Sequence, residues 1–409
     1  MGVKQRDIKV FTWGSILLVY TFLLVFTGRF EQYSSLITKG LTPLFVLAAV
    51  FFFKNPIAKF PKEYFAYVVL FGWAILSGIK VESFSNYTRF LQLFLGITML
   101  LTIVYVLIPR YNIVNFFHVG FLLGAMFLLR DAYLNFDLAA IVNQEVGGTR
   151  LEGQAGNANT IGAIFLMAGL SNLFLFDSAK NLLIKAVLVV AQVLLIIGVV
   201  ATASRSSLLA IVLSVLLYIT FKLIIQKQYV ILLGALFLIL SGLTLSYNYI
   251  MEQTYLGTRI DRLQKGKDGS EEERSQLIRD GIQMVRQNPF MGVGIGNFTN
   301  NSSSGRYSHN DILEVTATLG FIGLFIYSTF FVFPMMSIRR LRKKDILPKD
   351  RGRIMVIGVS TFIYLLSGLF KPLFVDLFFM FFIGALYADL QRIKLKYAYL
   401  SNYQHAQVG

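Results

Sequence analysis

Long apolar runs dominate this chain, and they constrain its fold more than any other feature of the sequence. A helix of about 17–25 apolar residues spans the hydrocarbon core of a bilayer. About twelve stretches approach this length, at residues 10–27, 36–53, 64–79, 90–108, 113–130, 158–176, 182–203, 205–225, 228–248, 309–335, 353–370 and 372–389. Strands of a membrane barrel would alternate apolar and polar residues, and these runs do not. The sequence therefore predicts an all-α polytopic membrane protein.

The composition and charge support this class. Of the 409 residues, 56% are hydrophobic and 15% are charged, and 38 Lys and Arg against 22 Asp and Glu give a formal net charge of +16. Lys and Arg concentrate in the cytoplasmic loops of membrane proteins. Placing the N-terminus inside puts Lys4, Arg6, Lys9 and the basic segment 339–353 in the cytoplasm. We predict a protein of the inner (cytoplasmic) membrane with both termini cytoplasmic, whose basic excess reflects topology and not nucleic-acid binding.

The distribution of polar residues divides the chain into three parts. Residues 1–248 hold nine predicted spans, residues 249–308 form a large extracytoplasmic loop, and residues 309–409 hold three spans and a cytoplasmic tail. The first apolar run is long enough to serve as the first span, so no cleavable signal peptide is needed. The apolar pattern shows no internal repeat, which argues against the inverted-repeat plan of many transporters. We expect the function to lie on the extracytoplasmic face.

Two residue types limit the chemistry. The chain has no cysteine and three histidines, His118, His309 and His405. Disulfides, thiolate metal sites and histidine-rich metal clusters are therefore excluded. We predict that the protein uses no cofactor and no metal; any metal would need oxygen ligands alone.

The large loop contains a predicted amphipathic helix. Ser270 with a Glu three residues later forms a capping box, and Asn-Pro stops the helix, which should span about residues 271–287. At helical periodicity the apolar face centres on Arg274, whereas Arg279 and Arg286 point away. An arginine on a packed face needs an anion or a carboxylate. A structural ion pair and a contact to a ligand phosphate are both open for Arg274.

The loop ends at His309, which we place in the first turn of the next helix. Unpaired N–H groups at a helix start attract phosphate oxygens, and imidazole suits proton transfer near neutral pH. The alternative is an interfacial histidine that only caps or anchors the helix. Asn310 and Glu314 follow it as candidate contacts to a donor or acceptor. The glycines of residues 292–297 do not form a nucleotide loop, because no strand precedes them.

Two further arginines are candidates for binding an anion. Arg205 lies between two apolar runs with almost no loop around it, at the outer membrane boundary, where an unpaired charge is costly. Its planar guanidinium suits phosphate oxygens because it donates paired hydrogen bonds and never loses its charge. Arg150, in the other long outer loop, could join it or could simply be solvated.

Taken together, these short motifs resemble the O-antigen ligase and polymerase superfamily, the WaaL-like and Wzy-like membrane glycosyltransferases. The resemblance covers about the last two thirds of the chain and depends on the order and spacing of its pieces. The pieces are residues 150–159, Ser204-Arg205, Arg274, Asn288-Pro289-Phe290, Gly292-x-Gly-x-Gly-Asn297-Phe298, His309-Asn310, Leu313-Glu314 and Leu319-Gly320.

The resemblance implies a GT-C-like fold and a metal-independent, inverting glycosyltransferase that takes a glycan from an undecaprenyl-pyrophosphate carrier. Carried over by motif, Arg205 and Arg274 would bind the donor pyrophosphate, and His309 would accept the proton of the acceptor hydroxyl. The acceptor would be a lipid-linked repeat unit for a polymerase or lipid A core for an O-antigen ligase. We favour polymerisation of O-antigen, capsule or exopolysaccharide repeat units, with membrane lipids and a chain-length regulator as further candidate partners.

A transporter or flippase of lipid-linked sugar is the alternative from another class. It should line a central cavity with charges at mid-membrane depth. The candidate charges here map to the outer boundary instead. Asp376, inside the last apolar run, is the one candidate mid-depth charge, and we expect it to pair with Lys371 or a neighbouring polar group.

Overall fold

The computed structural model describes residues 3–27, 36–51, 60–135, 158–253, 257, 260–261, 269–342 and 345–408; most of these residues are helical, and no strand is among them. The predicted all-α class is confirmed. The helices are α1 (Val3–Thr27), α2 (Thr42–Phe51), α3 (Lys62–Leu76), α4 (Phe84–Tyr111), α5 (Val114–Asn135), α6 (Ala158–Ser178), α7 (Leu182–Ala201), α8 (Arg205–Ile225), α9 (Tyr229–Gln253), α10 (Gly269–Gln287), α11 (Phe298–Asn301), α12 (Asp311–Arg342), α13 (Pro348–Gly368) and α14 (Leu377–Val408). A π-helical segment, Ile37–Leu41, precedes α2, and a 3₁₀ turn, Ser77–Lys80, follows α3.

Within the described residues, eight helices are long and apolar enough to cross a membrane. They are Asp7–Thr27, Lys62–Lys80, Phe84–Tyr111, Val114–Asp131, Ala158–Ser178, Leu182–Ala201, Arg205–Ile225 and Asp311–Arg342. The apolar helices Ile37–Phe51 and Tyr229–Gly242 are shorter, and α13 and α14 are not among the eight. The chain is therefore a multi-pass membrane protein, and the count of about twelve spans stays a prediction.

The bundle is organised around α6, which is buried along most of its length. α6 packs against α5, α7, α8 and α13, while α1 packs on α5, α3 on α12, and α4 on α14. One continuous apolar core joins the spanning helices. Because the membrane offers no hydrogen-bond partners, helices satisfy their own backbone groups and pack side by side. This arrangement leaves the ends of α6, α8 and α12 close to one another.

The amphipathic helix α10 packs on the bundle through its own small core. Leu277 and Met284 are buried on one stripe, and they cluster with Val293 of the following loop, Phe298 of α11 and Ala317 of α12. Leu277 and Met284 lie about two turns apart, so they share a face. The helix begins two residues before the predicted start and ends at the predicted residue.

The glycine-rich loop after α10 crosses a break in α12. Gly320 has φ 70° and ψ −176°, which is not helical. The loop satisfies the backbone groups that this break frees: Val293 N–H donates to Ala317 O at 2.8 Å, and Phe321 N–H donates to Pro289 O at 2.8 Å. A Cβ on Gly320 would lie 2.1 Å from the carbonyl oxygen of Phe290. The glycines thus allow the loop to pack directly on α12.

Candidate functional site

A cavity of about 260 Å³ lies where α6, α8 and α10 meet the chain before α12 and the turn between α13 and α14. Its walls are Asn159, Thr160, Ala163, Leu166, Arg205, Ser206, Ser207, Leu209, Arg274, Tyr307, His309, Ser367, Phe370, Lys371, Leu373 and Phe379. Three of these residues are cations, and no carboxylate of the described residues lines the cavity. The cavity therefore favours an anionic ligand. Apolar residues line it beside the three cations.

Arg205 is positioned by a tight turn at the start of α8. The turn follows α7 directly, and Ala203 adopts a left-handed conformation with φ 51°. α6 approaches this turn closely at Gly162, where a Cβ would lie 2.9 Å from Thr202 Oγ1. Arg205 is the first residue of α8, and it lines the cavity. Its guanidinium is suited to binding an anion.

Arg274 reaches the cavity from α10, one turn before the buried Leu277. Arg279 and Arg286 on the same helix are exposed, and Arg279 donates to Gln276 Oε1 at 2.7 Å. The salt bridges of the described residues include none to Arg274. Of the two explanations for a packed arginine, a structural ion pair therefore finds no support in the described part of the chain.

His309 lies just before α12 and not in its first turn, so that prediction was wrong. The helix starts at Asp311, and Asn310 caps it: its Oδ1 accepts the N–H of Leu313 at 2.9 Å. His309 has φ 54°, a left-handed conformation that costs energy for a non-glycine residue. Its ring lies 4.5 Å from the ring of Tyr307, centroid to centroid, with the planes at 49°. The cap and this ring contact direct the imidazole into the cavity.

The surroundings of His309 favour the neutral form of its imidazole. Partial burial lowers its pKa below the usual 6.5, and the positive charges of Arg274 and Arg306 act in the same direction, while Glu273 opposes them. Burial disfavours the charged form, and neighbouring cations repel it. A neutral imidazole near pH 7 can accept a proton.

Asn310 and Glu314, the candidate contacts to a donor or acceptor, do not line the cavity. Asn310 caps α12, as described above. Glu314 is buried, and its carboxylate accepts the N–H of Ser308 at 2.7 Å. Ser308 Oγ in turn donates to Asn310 O at 2.8 Å. These bonds fix the backbone on both sides of His309. In this structure Asn310 and Glu314 therefore position the histidine and do not contact a ligand in the cavity.

The cavity residues that the sequence did not predict include a cation and a phenol. Lys371 and Tyr307 line the cavity. Tyr307 carries a detectable signal, because it is an aromatic residue two positions before the candidate base. Lys371 shows only as a charge in a short turn between two apolar runs. Arg150 lies outside the described residues.

The described residues contain no group of three or more His, Cys, Asp or Glu that could hold a metal ion. Asp376 forms a salt bridge with Lys371, as expected. It precedes α14, which begins at Leu377, so it lies at a helix start and not in the middle of an apolar run. Asp376 is therefore not a charge in the middle of a span, as a transporter would need.

The fold and the cavity define a multi-pass membrane protein with a cationic, imidazole-containing site at its helix ends. Residues 190–328 match the family model described as O-antigen ligase. This match confirms the resemblance to the O-antigen ligase and polymerase superfamily found in the motifs. Arg205, Arg274 and His309 fall inside the matched residues, whereas Lys371 falls outside them. No curated protein matches the chain.

Proposed function

We propose that this protein is a metal-independent, inverting glycosyltransferase that moves a glycan from an undecaprenyl-pyrophosphate carrier to a sugar hydroxyl on the outer face of the inner membrane. One observation carries the proposal: Arg205, Arg274 and His309, from three separate segments, line one cavity that no carboxylate of the described residues enters. Two cations suit a pyrophosphate, and a neutral imidazole suits a hydroxyl that must lose its proton.

In the proposed reaction the acceptor hydroxyl oxygen attacks the anomeric carbon of the donor sugar. The bond from that carbon to the phosphate oxygen breaks, and the lipid pyrophosphate leaves with the bonding electrons. His309 takes the hydroxyl proton. Arg205 and Arg274 stabilise the departing pyrophosphate, an electrostatic role that fixed cations can perform. Attack opposite to the leaving group inverts the anomeric centre.

The position of the charges supports transfer over transport. Arg205 begins α8, Arg274 lies on the amphipathic α10, and His309 precedes α12. All three therefore lie at or beyond the ends of candidate spans. A flippase would need charged groups along a path through the membrane interior.

The proposed acceptor is the next lipid-linked repeat unit, which makes the protein a polymerase; a ligase would use lipid A core instead. The test incubates the purified full-length protein with lipid-linked repeat units, with and without lipid A core. A ladder of products that does not require the core supports a polymerase, and a single product that requires the core supports a ligase.

The variant His309→Asn tests the proposed base in the same assay. Asparagine tolerates the left-handed backbone that His309 adopts, but it cannot accept a proton at neutral pH. We expect transfer to fall about 10²–10⁴-fold, with an unchanged thermal unfolding midpoint. Transfer at the wild-type rate by His309→Asn would refute the assignment of His309 as the base.

A further inference from the structure

A third cation, Lys371, lines the cavity together with Arg205 and Arg274. It lies in the turn between α13 and α14, beyond the residues that match the family model. We propose that Lys371 binds the lipid-linked pyrophosphate and stabilises the charge that develops on it during transfer. This inference rests on the proposed function, because it concerns the same site.

The turn that carries Lys371 is fixed to the start of α12. Asp311, the first residue of α12, is buried, and its Oδ1 accepts the N–H groups of Leu373 at 2.6 Å and Phe374 at 2.9 Å. Tyr327 donates its hydroxyl proton to the other oxygen of Asp311. His309 lies two residues before Asp311, so the same helix start positions both the imidazole and the lysine. The hydrogen bonds of Asp311 to this turn therefore hold the backbone near Lys371 in place beside the cavity.

The partner of Lys371 does not remove it from the cavity. Lys371 Nζ donates to Asp376 Oδ2, and the lysine side chain keeps 25% of its surface exposed. The other oxygen of Asp376 accepts the N–H groups of Phe378 at 3.1 Å and Phe379 at 3.2 Å, which caps α14. Asp376 thus has a capping role that does not need the lysine. A partly exposed ammonium on a flexible stem can turn from this carboxylate to a phosphate oxygen.

The charge of the reacting group explains why a third cation is useful. A phosphate esterified on both sides carries one negative charge, so the pyrophosphate that joins lipid and sugar carries two. After the sugar leaves, the terminal phosphate is esterified on one side and carries about −1.5 to −2. Arg205 and Arg274 balance the charge before reaction, and Lys371 balances the charge that appears during it. An interaction that strengthens in the transition state raises kcat more than it lowers KM.

Two substitutions distinguish this role from a purely structural ion pair. Lys371→Met removes the cation, and Asp376→Asn removes its competing carboxylate while keeping a side-chain oxygen to cap α14. A structural pair predicts the same direction of change for both, because each breaks the same contact. A pyrophosphate ligand predicts opposite directions: Lys371→Met weakens binding about tenfold or more, and Asp376→Asn tightens it.

The probe is inorganic pyrophosphate, titrated calorimetrically into the purified full-length protein in detergent, with thermal unfolding of each variant as the folding control. Turnover on lipid-linked repeat units is measured in parallel, and we expect Lys371→Met to lower kcat more than it raises KM and Lys371→Arg to restore kcat. Weakened binding in both Lys371→Met and Asp376→Asn would overturn the inference. The inference would also be overturned if Lys371→Met bound pyrophosphate as tightly as the wild type while Arg205→Gln no longer bound it. That result would leave the proposed function intact. Full transfer by His309→Asn would refute the proposed base, whatever Lys371 does.

Discussion

Arg205 and Arg274 line the same cavity although one begins a membrane-spanning helix and the other lies on an amphipathic helix outside the spans. Two packing contacts bring these arginines to the same cavity. Gly162 allows α6 to approach the turn before α8, and Leu277 and Met284 pack α10 against the bundle. The two guanidinium groups therefore approach an anion from separate elements, which makes the site sensitive to the packing of α10.

Substitution of Arg205 or Arg274 should weaken donor binding, whereas substitution of the exposed Arg279 should not. Arg205→Gln and Arg274→Gln each remove a charge-assisted contact of about 1.5–3 kcal/mol, so we expect donor binding to weaken about 10- to 100-fold. Arg279→Gln changes an exposed arginine one and a half turns along the same helix and should leave the KM for the donor unchanged. The measurement is transfer from lipid-linked repeat units over a range of donor concentrations. An equal loss in Arg279→Gln would show that the effect is one of surface charge and not of the site.

The pH dependence should follow the neutral form of His309. Its pKa lies below 6.5, lowered by burial and by Arg274, so the base is competent at pH 7 and kcat/KM should fall only at lower pH. Glu273 raises this pKa and Arg306 lowers it, and the two residues pair with each other at 2.9 Å. Glu273→Gln should therefore move the acid limb to lower pH, and Arg306→Gln should move it to higher pH.

The measurement is a kcat/KM profile for wild type and both variants at constant ionic strength, because salt screens exposed charges. Shifts in the same direction for Glu273→Gln and Arg306→Gln would contradict the assignment of His309 as the titrating group. Neither residue lines the cavity, so the maximal rate serves as the internal control.

The features predicted correctly are those set by local patterns. Apolar length predicts the eight described helices that are long and apolar enough to span, because crossing the hydrocarbon core takes about 17–25 residues. The spacing around Leu277 predicts the packed face of α10 in part: Leu277 and Met284 are buried, but Ile278 and Ile282 of the predicted face are exposed. Arg274 lines the cavity as that face predicts, and Arg279 is exposed. Both outcomes depend only on residues close together in the chain.

The features that were not predicted depend on tertiary contacts or on which of two adjacent residues is the better helix N-cap. Lys371 reaches the cavity because Asp311 binds the backbone of the following turn, a contact between distant segments that no spacing reveals. The start of α12 was misplaced because His309 and Asn310 are adjacent polar residues that could each precede a helix. Asparagine is the stronger N-cap, and it places His309 outside the helix.

Glycine substitutions should test the packing of the loop on α12. Gly320→Ala would place a Cβ 2.1 Å from Phe290 O, and Gly292→Ala would place one 2.4 Å from the carbonyl carbon of Thr318, both at φ 70°. We expect each to destabilise the fold by about 1–3 kcal/mol and to lower transfer through movement of the loop that leads to His309. Gly72→Ala is the control, because nothing lies within 4 Å of the added Cβ in α3. Thermal unfolding in detergent measures the effect, and equal destabilisation by Gly72→Ala would contradict the packing argument.

The predicted orientation can be tested with single cysteines, since the natural chain has none. Ser304, between α11 and α12, and Asp345, after the basic end of α12, are both exposed. Basic residues at the end of α12 predict that Asp345 is cytoplasmic, which places Ser304 outside because one candidate span separates them. In intact spheroplasts an impermeant maleimide should therefore label Ser304→Cys, and it should label Asp345→Cys only after the membrane is opened. The reverse pattern would place the cavity on the cytoplasmic face, where transfer from an outward-facing carrier could not occur.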